Sequence, residues 1–293
     1  DGLKIYTTID SKMQQYAEEA VTEHLKNLQK EFFIAAKDKE NAPFVDITPE
    51  QTQQIMLQAK KNSERWRKMD LNGKTKEEIL KSFDVPAKMK IFTYEGEKDT
   101  IMKPTDSIIY YKHMLQTGMM AMEPRNGHIK AWVGGVNYKY FQYDHVGQGA
   151  RQVGSTFKPF LYATAIEQLG MSPCDSIIDS YFTMPKGKWG IDKDWSPKNS
   201  DGNYRGTTTL QKALANSINT VSAKLIDRVG PQAVVDMANE LGVTSDIPVQ
   251  PSIALGAVDI TVEQMVGAMS TFANQGVYVK PTFIIKIEDK NGV

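Results

Sequence analysis

The 293-residue sequence lacks several features that would assign it to a common class of protein. A single cysteine, Cys174, excludes an internal disulfide and any zinc site built from cysteines. Lys and Arg number 35, as do Asp and Glu, so the balanced charge creates no overall attraction to nucleic acid. No apolar run approaches the roughly 18 residues that a membrane span needs. The hydrophobic content of 41% is typical of a globular protein with a substantial core.

Glycine is scarce in one part of the chain, and charge is concentrated there. Residues 24–112 contain 2 of the 21 glycines, and 31 of these 89 positions are charged. Two capping boxes, Thr48-Pro49-Glu50-Gln51 and Thr75-Lys76-Glu77-Glu78, predict helix starts. We therefore interpret residues 35–112 as a charged helical insert or linker that contributes no catalytic group.

The remaining sequence alternates between short strands and apolar helices. A strand is predicted from Leu3 to Thr8, and Asp10 is the expected N-cap of the helix that follows. A β-hairpin is predicted from Gly118–Glu123 and His128–Val133, and Phe283–Ile287 alternates like a strand. Helices are predicted around residues 156–169, 208–228, 231–241 and 261–274. This order of elements predicts an α+β fold, with a mostly antiparallel sheet flanked by helices.

Both ends of the sequence are interpreted as cut. Asp1-Gly2 opens it without Met, and Asn291-Gly292 predicts a hairpin turn at its end. We expect an entry strand and helix at residues 1–34 and a C-terminally incomplete core domain at residues 113–293.

A candidate nucleophile and a candidate base stand close together in Gly154-Ser155-Thr156-Phe157-Lys158-Pro159. Proline fits only the first turn of a helix, so the helix should begin close to Ser155, where its dipole favours negative charge. Lys158 shares a face with Ser155, and a buried lysine of lowered pKa can accept a serine proton. The alternative is a helix-capping serine followed by a surface lysine.

A second polar pair, Ser217-Ile218-Asn219, is the only Ser-x-Asn in the chain. Its position predicts a short break between helices, with both side chains projecting together; a plain polar turn is the alternative. Trp195, in the segment Asp194–Asn199, fits either the wall of a substrate groove or the core.

Together these segments resemble the transpeptidase domain of penicillin-binding proteins, most of all the class A, bifunctional kind. The resemblance rests on Ser155-Thr156-Phe157-Lys158, on Ser217-Ile218-Asn219 and on three flanking segments. These are Leu3–Asp10, Met120–Gly135 and Phe272–Pro281. The resemblance covers everything except the charged insert. It implies a penicillin-binding/serine β-lactamase-like transpeptidase fold, α+β in class.

The resemblance also implies roles for the polar residues. Ser155 would be the acylated nucleophile, with its own N–H as half of the oxyanion hole, and Lys158 would accept its proton. Ser217 would relay the proton to the leaving amine. Asn219 would hydrogen-bond the amide of the bound acyl chain, and Trp195 is kept as a substrate-binding candidate.

The sequence departs from the family pattern in two places. Tyr143-Asp144-His145-Val146 stands where the family usually has a Phe-Asn-Arg-Ala-like stretch. No Lys-Thr-Gly or Lys-Ser-Gly follows Ser217. We expect this third motif beyond Val293, and therefore a sheet short of strands and an impaired fragment.

The implied function is that of a peptidoglycan D,D-transpeptidase in cell-wall biosynthesis. Such an enzyme cross-links stem peptides through an acyl-serine intermediate and is a target of β-lactams. Two alternatives stay open: a serine β-lactamase or D,D-carboxypeptidase of the same fold, and a non-catalytic penicillin-binding sensor or scaffold. No cofactor, metal or nucleic-acid partner is implied.

The expected partners are D-Ala-D-Ala stem peptides, β-lactam antibiotics and an upstream glycosyltransferase domain in the longer chain. The expected location is the periplasmic, extracytoplasmic face of the bacterial inner membrane, with an anchor absent from this chain.

Overall fold

Helices alternate with short strands in the computed structural model, which describes residues 2–39, 41–289 and 292. The helices are α1 (Ser11–Ala36), α2 (Pro49–Lys61), α3 (Glu64–Leu71), α4 (Lys76–Ser82), α5 (Pro104–Lys112), α6 (Lys158–Leu169), α7 (Leu210–Ala215), α8 (Asn219–Val229), α9 (Pro231–Glu240) and α10 (Val262–Ala273). The strands are β1 (Lys4–Thr7), β2 (Ala87–Thr93), β3 (Gly96–Met102), β4 (Met119–Met122), β5 (Ile129–Val133), β6 (Arg151–Gln152), β7 (Ser176–Asp179), β8 (Gly206–Thr209), β9 (Asp259–Ile260) and β10 (Ile284–Glu288). The hairpin turn predicted at Asn291-Gly292 includes Asn291, which lies outside the described residues.

The chain divides into two structural units. The first comprises Asp1–Ala17, Gly118–Gly135 and Tyr143–Val293, and the second comprises Glu18–Thr117 and Val136–Gln142. Both candidate motifs therefore belong to the first unit.

The strands of the described residues pair in twos, and each of the five pairs is antiparallel. The pairs are β1–β10, β2–β3, β4–β5, β6–β9 and β7–β8. The predicted α+β class with antiparallel strands is confirmed, and β4–β5 is the predicted hairpin. Each sheet in the part of the chain that is described has two strands, so no continuous wide sheet is formed there.

The helix starts follow the sequence signals. Oδ1 of Asp10 accepts the backbone N–H groups of Lys12 and Met13, each at 3.0 Å. Thr48 and Thr75 both form the predicted capping boxes. Local polar side chains thus satisfy the first N–H groups of α1, α2 and α4, as the sequence predicts.

The helical prediction for residues 35–112 omits one element, the β2–β3 hairpin. Residues Ala87 and Met89 are more buried than their charged neighbours Lys88 and Lys90, which is the period-two pattern of a strand. The high charge density of the segment masked this alternation. The strands are joined by a tight turn in which Thr93 Oγ1 donates to the carbonyl of Gly96 across 2.7 Å.

The second unit has its own apolar interior. Ile79 and Phe83 of the α4 region are almost completely buried. Phe92 of β2 packs edge-on against Tyr94 and Phe141. Burial of such side chains contributes roughly 1.5–3 kcal/mol each, so this charged segment has a core of its own.

The core of the first unit lies where α6, α8 and α9 pack together. Its most buried members come from all three helices and their flanking loops: Phe157, Phe160, Leu161, Leu225, Ile226 and Val234. Both candidate motifs lie at the start of helices in this core. The packing of α6 and α8 therefore fixes where their first residues point.

Candidate active site

Ser155 lies on a tight turn directly before α6. Gly154 has φ +55°, and residues Gly154–Phe157 form a single turn of 3₁₀-helix. Pro159 follows in the first turn of α6, as predicted. The Ser155 side chain is exposed, and its hydroxyl makes no hydrogen bond to another described residue. It is therefore open to an incoming ligand.

The turn that carries Ser155 is pinned to a second loop. Gly154 donates its N–H to the carbonyl of Gly256 at 3.1 Å, and Val153 donates to Val258 at 3.0 Å. Gly256 has φ +74°, and a Cβ atom there would lie 1.8 Å from the carbonyl oxygen of Gly154. This close approach requires glycine at position 256.

The Ser217–Asn219 segment forms the predicted break between α7 and α8. Ser217 has φ +52°, a conformation that non-glycine residues rarely adopt. The N–H groups of Ser217 and Ile218 donate back into α7, to the carbonyls of Leu214 and Ala213 at 2.9 Å. The break directs Ser217 and Asn219 towards the same lysine.

That lysine is Lys158, whose side chain is fully buried. Nζ donates to the carbonyl oxygen of Ser217 at 2.7 Å, to Ser217 Oγ at 2.9 Å and to Asn219 Oδ1 at 2.7 Å. These three acceptors match the three donors of an ammonium group. Burial lowers the pKa of Lys158 from 10.5 to about 8. About a tenth of Lys158 is therefore neutral at pH 7, far more than of an ordinary lysine.

The structure joins three of the predicted residues directly, and the fourth, Ser155, lies three residues before Lys158. Lys158, Ser217 and Asn219 form one hydrogen-bonded group. Ser155 lies on the turn that leads into Lys158, but no hydrogen bond joins the two side chains among the described residues. A neutral amine has two donors and one lone pair, so loss of a proton would free one direction at Nζ to accept.

Asn219 is held from a separate segment of the chain. Its Nδ2 donates to the carbonyl of Lys198 at 2.9 Å, and its backbone N–H donates to Oδ1 of Asn199 at 3.0 Å. These contacts leave Oδ1 of Asn219 facing Lys158. Neither Lys198 nor Asn199 was predicted as a site residue, although both lie in the segment Asp194–Asn199 that contains Trp195.

A buried carboxylate lies behind Asn199. Asp179 is 1% exposed and accepts hydrogen bonds from Nδ2 of Asn199, from Oγ1 of Thr220 and from the N–H of Arg205. Burial alone would raise the pKa of Asp179, but these hydrogen bonds and the nearby Arg205 charge outweigh it and lower the pKa. A hydrophilic residue at the end of an apolar strand, Ser176–Asp179, was the only sequence signal for it.

Trp195 occupies a different position from the polar group. It forms an isolated bridge with Met184 and packs against the core of the first unit. It also lines a cavity of about 630 Å³ with Trp189, Ile191 and Pro251. Trp195 therefore both packs on the core and lines a cavity, the two positions that the sequence allowed. Its role in substrate binding stays a prediction.

The described residues contain neither a cluster of metal ligands nor a membrane-spanning helix. Within the described ranges, no three His, Cys, Asp or Glu side chains gather as a metal site would require. Among the helices that the structure describes, none combines the length and apolar character needed to cross a bilayer.

Two family models match consecutive parts of the chain. Residues 117–292 match the penicillin binding protein transpeptidase domain, and residues 39–115 match the penicillin-binding protein middle domain. The chain is 32% identical to penicillin-binding protein 1A of Aquifex aeolicus over 303 residues, covering 99% of this chain and 39% of the relative. Penicillin-binding protein 1A of Neisseria flavescens is 29% identical with the same coverage. The chain thus spans well under half the length of these curated relatives.

Solved structures share the fold. The crystal structure of penicillin-binding protein 1A from Haemophilus influenzae gives a TM-score of 0.67 at 23% identity, covering 99% of this chain and 45% of that one. The PonA1 protein of Mycobacterium tuberculosis gives 0.52 at 29% identity, covering 61% of this chain and 49% of that one. The chain belongs to the penicillin-binding protein transpeptidase family, and the predicted resemblance and fold are confirmed.

Proposed function

We propose that this chain carries the acyl-transfer site of a peptidoglycan D,D-transpeptidase, with Ser155 as the nucleophile. The observation that carries the proposal is the fully buried Lys158, one helical turn after an exposed serine, with a pKa lowered to about 8. A buried amine of this kind is poised to exchange protons near physiological pH.

The first half-reaction follows from these positions. Ser155 Oγ attacks the carbonyl of the penultimate D-Ala in a stem peptide that ends in D-Ala-D-Ala, and neutral Lys158 takes the hydroxyl proton. The backbone N–H of Ser155, at the start of a helix, would donate a hydrogen bond to the oxyanion. The terminal D-Ala leaves as an amine after receiving a proton through Ser217, which Lys158 contacts at 2.9 Å.

The second half-reaction reverses the first with a different amine. An amine of a neighbouring stem peptide attacks the acyl-serine ester and loses its proton to the same Lys158 and Ser217 pair. The ester bond to Ser155 Oγ then breaks, Ser155 regains a proton from Lys158, and the new amide is the cross-link. Asn219 would hydrogen-bond the amide of the acyl chain through its side chain, whose contacts with Lys158 and Lys198 leave one N–H of Nδ2 and one lone pair of Oδ1 in reserve.

The proposal is tested by covalent labelling. Treatment of the protein with a penicillin should add one adduct, and peptide mass mapping should place it on Ser155. Ser155→Ala should abolish the adduct, whereas Ser172→Ala, an exposed serine before Asp175, should leave it unchanged. An adduct at another residue, or none in the full-length protein, would contradict the nucleophile assignment.

The same labelled protein separates the alternatives. A transpeptidase holds the penicilloyl ester for long periods, and a serine β-lactamase hydrolyses it rapidly. A D,D-carboxypeptidase would release D-Ala from a stem peptide without forming cross-links. A sensor or scaffold would bind penicillin but give neither product from stem peptides.

The wider context is also a proposal. We propose that residues 1–34 and 113–293 form the transpeptidase part and that residues 35–112 form an accessory part. The partners would be D-Ala-D-Ala stem peptides, β-lactams and a glycosyltransferase domain of a longer chain. The place of action would be the periplasmic face of the inner membrane, where this substrate is cross-linked.

A further inference from the structure

We propose that Asn199 is a positioning residue for Lys158, and that the buried carboxylate of Asp179 holds Asn199 in the orientation that this role requires. The inference rests on the proposed function of Lys158 as a proton acceptor. It adds two residues from outside the Ser155–Lys158 and Ser217–Asn219 motifs to the machinery of the site.

Asn199 supplies a helix cap that the local sequence does not. The N-cap of α8 is Ile218, whose side chain cannot accept a hydrogen bond. Oδ1 of Asn199 accepts instead the N–H groups of Asn219, at 3.0 Å, and Thr220, at 3.2 Å. The first turn of α8, including the backbone of Asn219, is thus fixed by a side chain 20 residues earlier in the chain.

The NH₂ group of Asn199 also makes two hydrogen bonds. Nδ2 donates to Oδ1 of Asp179 at 2.9 Å and to the carbonyl of Asn203 at 2.8 Å. A primary amide has two N–H donors and an oxygen with two lone pairs, so all four positions of Asn199 are in use. The side chain is 6% exposed, and water cannot readily replace a partner that is lost.

Asp179 determines which way this amide points. An ionised carboxylate only accepts, so it can face the NH₂ group of Asn199 and not its oxygen. The hydrogen bonds from Thr220 and from the N–H of Arg205 keep the carboxylate ionised within the core. Oδ1 of Asn199 must therefore face α8.

The consequence reaches Lys158 through Asn219. Asn219 is held at its backbone by Asn199 and at its side-chain NH₂ by the adjacent Lys198 carbonyl. Its Oδ1 is then left for Nζ of Lys158, at 2.7 Å. If the start of α8 shifts, the buried amine loses one acceptor and its alignment with Ser217.

Substitution with a matched control tests the role of Asn199. Asn199→Ala removes an amide oxygen that accepts two successive backbone N–H groups. Gln264→Ala does the same elsewhere in the first unit, because Oε1 of Gln264 accepts the N–H groups of Thr244 and Ser245, both at 2.9 Å. Both should lower thermal stability, but only Asn199→Ala should slow penicillin acylation of folded protein, by at least about tenfold. Equal acylation rates in the two variants would overturn the proposal.

Exchanging the hydrogen-bond donor and acceptor between Asn199 and Asp179 tests the role of Asp179. This test does not depend on whether Asn199→Ala folds. Asn199→Asp keeps the oxygen that caps α8 but sets a carboxylate oxygen against Asp179, and should acylate slowly. Combining it with Asp179→Asn restores a donor opposite an acceptor and should recover at least about fivefold of the rate. A double variant no faster than Asn199→Asp would overturn the role assigned to Asp179.

A readout independent of acylation separates this inference from the proposed function. Titration of Lys158, followed by NMR of protein containing ¹³C-labelled lysine, should have a lower midpoint in Asn199→Ala, because the ammonium form loses an acceptor while burial remains. An unchanged midpoint would overturn the positioning role. If the unchanged protein formed no adduct at Ser155, the proposed function would fail, yet this titration would still decide whether Asn199 positions Lys158.

Discussion

Nζ of Lys158 donates a hydrogen bond to Oδ1 of Asn219 across 2.7 Å, although 61 residues separate them in sequence. Nζ of Lys158 also donates to the carbonyl oxygen and to Oγ of Ser217, so the three residues form one hydrogen-bonded group. Because burial lowers the pKa of Lys158 to about 8, this group can hold or release a proton with little change in pH.

Replacement of Lys158 by arginine should lower the rate of penicillin acylation by at least about 100-fold. Arginine keeps the positive charge but does not deprotonate, so it cannot accept the Ser155 proton. The measurement is the second-order rate constant with a fluorescent penicillin.

Lys224→Arg is the matched control for Lys158→Arg. Burial also lowers the pKa of Lys224, which donates to the carbonyl of Ile178 and to Ser180 Oγ. The acylation rate of Lys224→Arg should stay within about twofold of the wild-type rate. Near-normal acylation in Lys158→Arg would remove Lys158 from the proton-accepting role.

Acylation should accelerate as the pH rises towards about 8 and then level off. Only neutral Lys158 can accept a proton, and below its pKa of about 8 the neutral fraction falls about tenfold for each unit of pH. The acylation rate constant should be measured from about pH 6 to about pH 9, a range in which the protein must also be shown to remain folded. A rate that is flat across this range would argue against Lys158 as the group that titrates.

Gly256→Ala should both destabilise the protein and slow acylation. A left-handed φ costs an alanine roughly 1–2 kcal/mol, and the new Cβ, 1.8 Å from the Gly154 oxygen, would also push the Ser155 turn away. We expect acylation to fall by at least about tenfold, since a displacement of about 1 Å can cost two orders of magnitude.

Gly276→Ala separates the two effects at Gly256. Gly276 has φ +87°, but a Cβ there would meet no described atom within 4 Å. Differential scanning calorimetry should show a modest loss of stability, and acylation should be unchanged. If Gly276→Ala slowed acylation as much as Gly256→Ala, the close approach to Gly154 would not explain the effect.

Truncation of one buried phenylalanine in each unit tests whether residues 35–112 contribute to the chemistry. Phe83 and Phe160 are both almost completely buried, in the second and first units respectively. Either change to alanine should cost about 3–5 kcal/mol. Phe160→Ala should also slow acylation, because Phe160 lies in α6 beside Lys158, whereas folded Phe83→Ala should acylate normally. Slowing in both variants would implicate residues 35–112 in the site.

Local signals in the sequence predicted several elements correctly because their causes lie within a few residues. Pro159 restricts the start of α6, and the Thr48 and Thr75 capping boxes mark α2 and α4. The β2–β3 hairpin was missed because the charged residues that alternate with its buried ones resemble those of the charged helices around it, although Ile91, Phe92 and Thr93 are strong strand formers. Its two strands follow each other directly in the chain and stabilise each other by pairing.

The sequence alone determined the family, the starts of several helices and the candidates for the reacting residues, because the Ser155–Lys158 and Ser217–Asn219 motifs are defined by short spacings. Tertiary structure decided which of these side chains meet. Lys158 contacts Ser217 and Asn219 because α6 and α8 pack in one core, and Asn219 is oriented by Asn199 and Asp179 from two other segments. Spacing along a chain constrains neighbours on one helix, but contacts between segments depend on packing, burial and the need to satisfy each buried polar group.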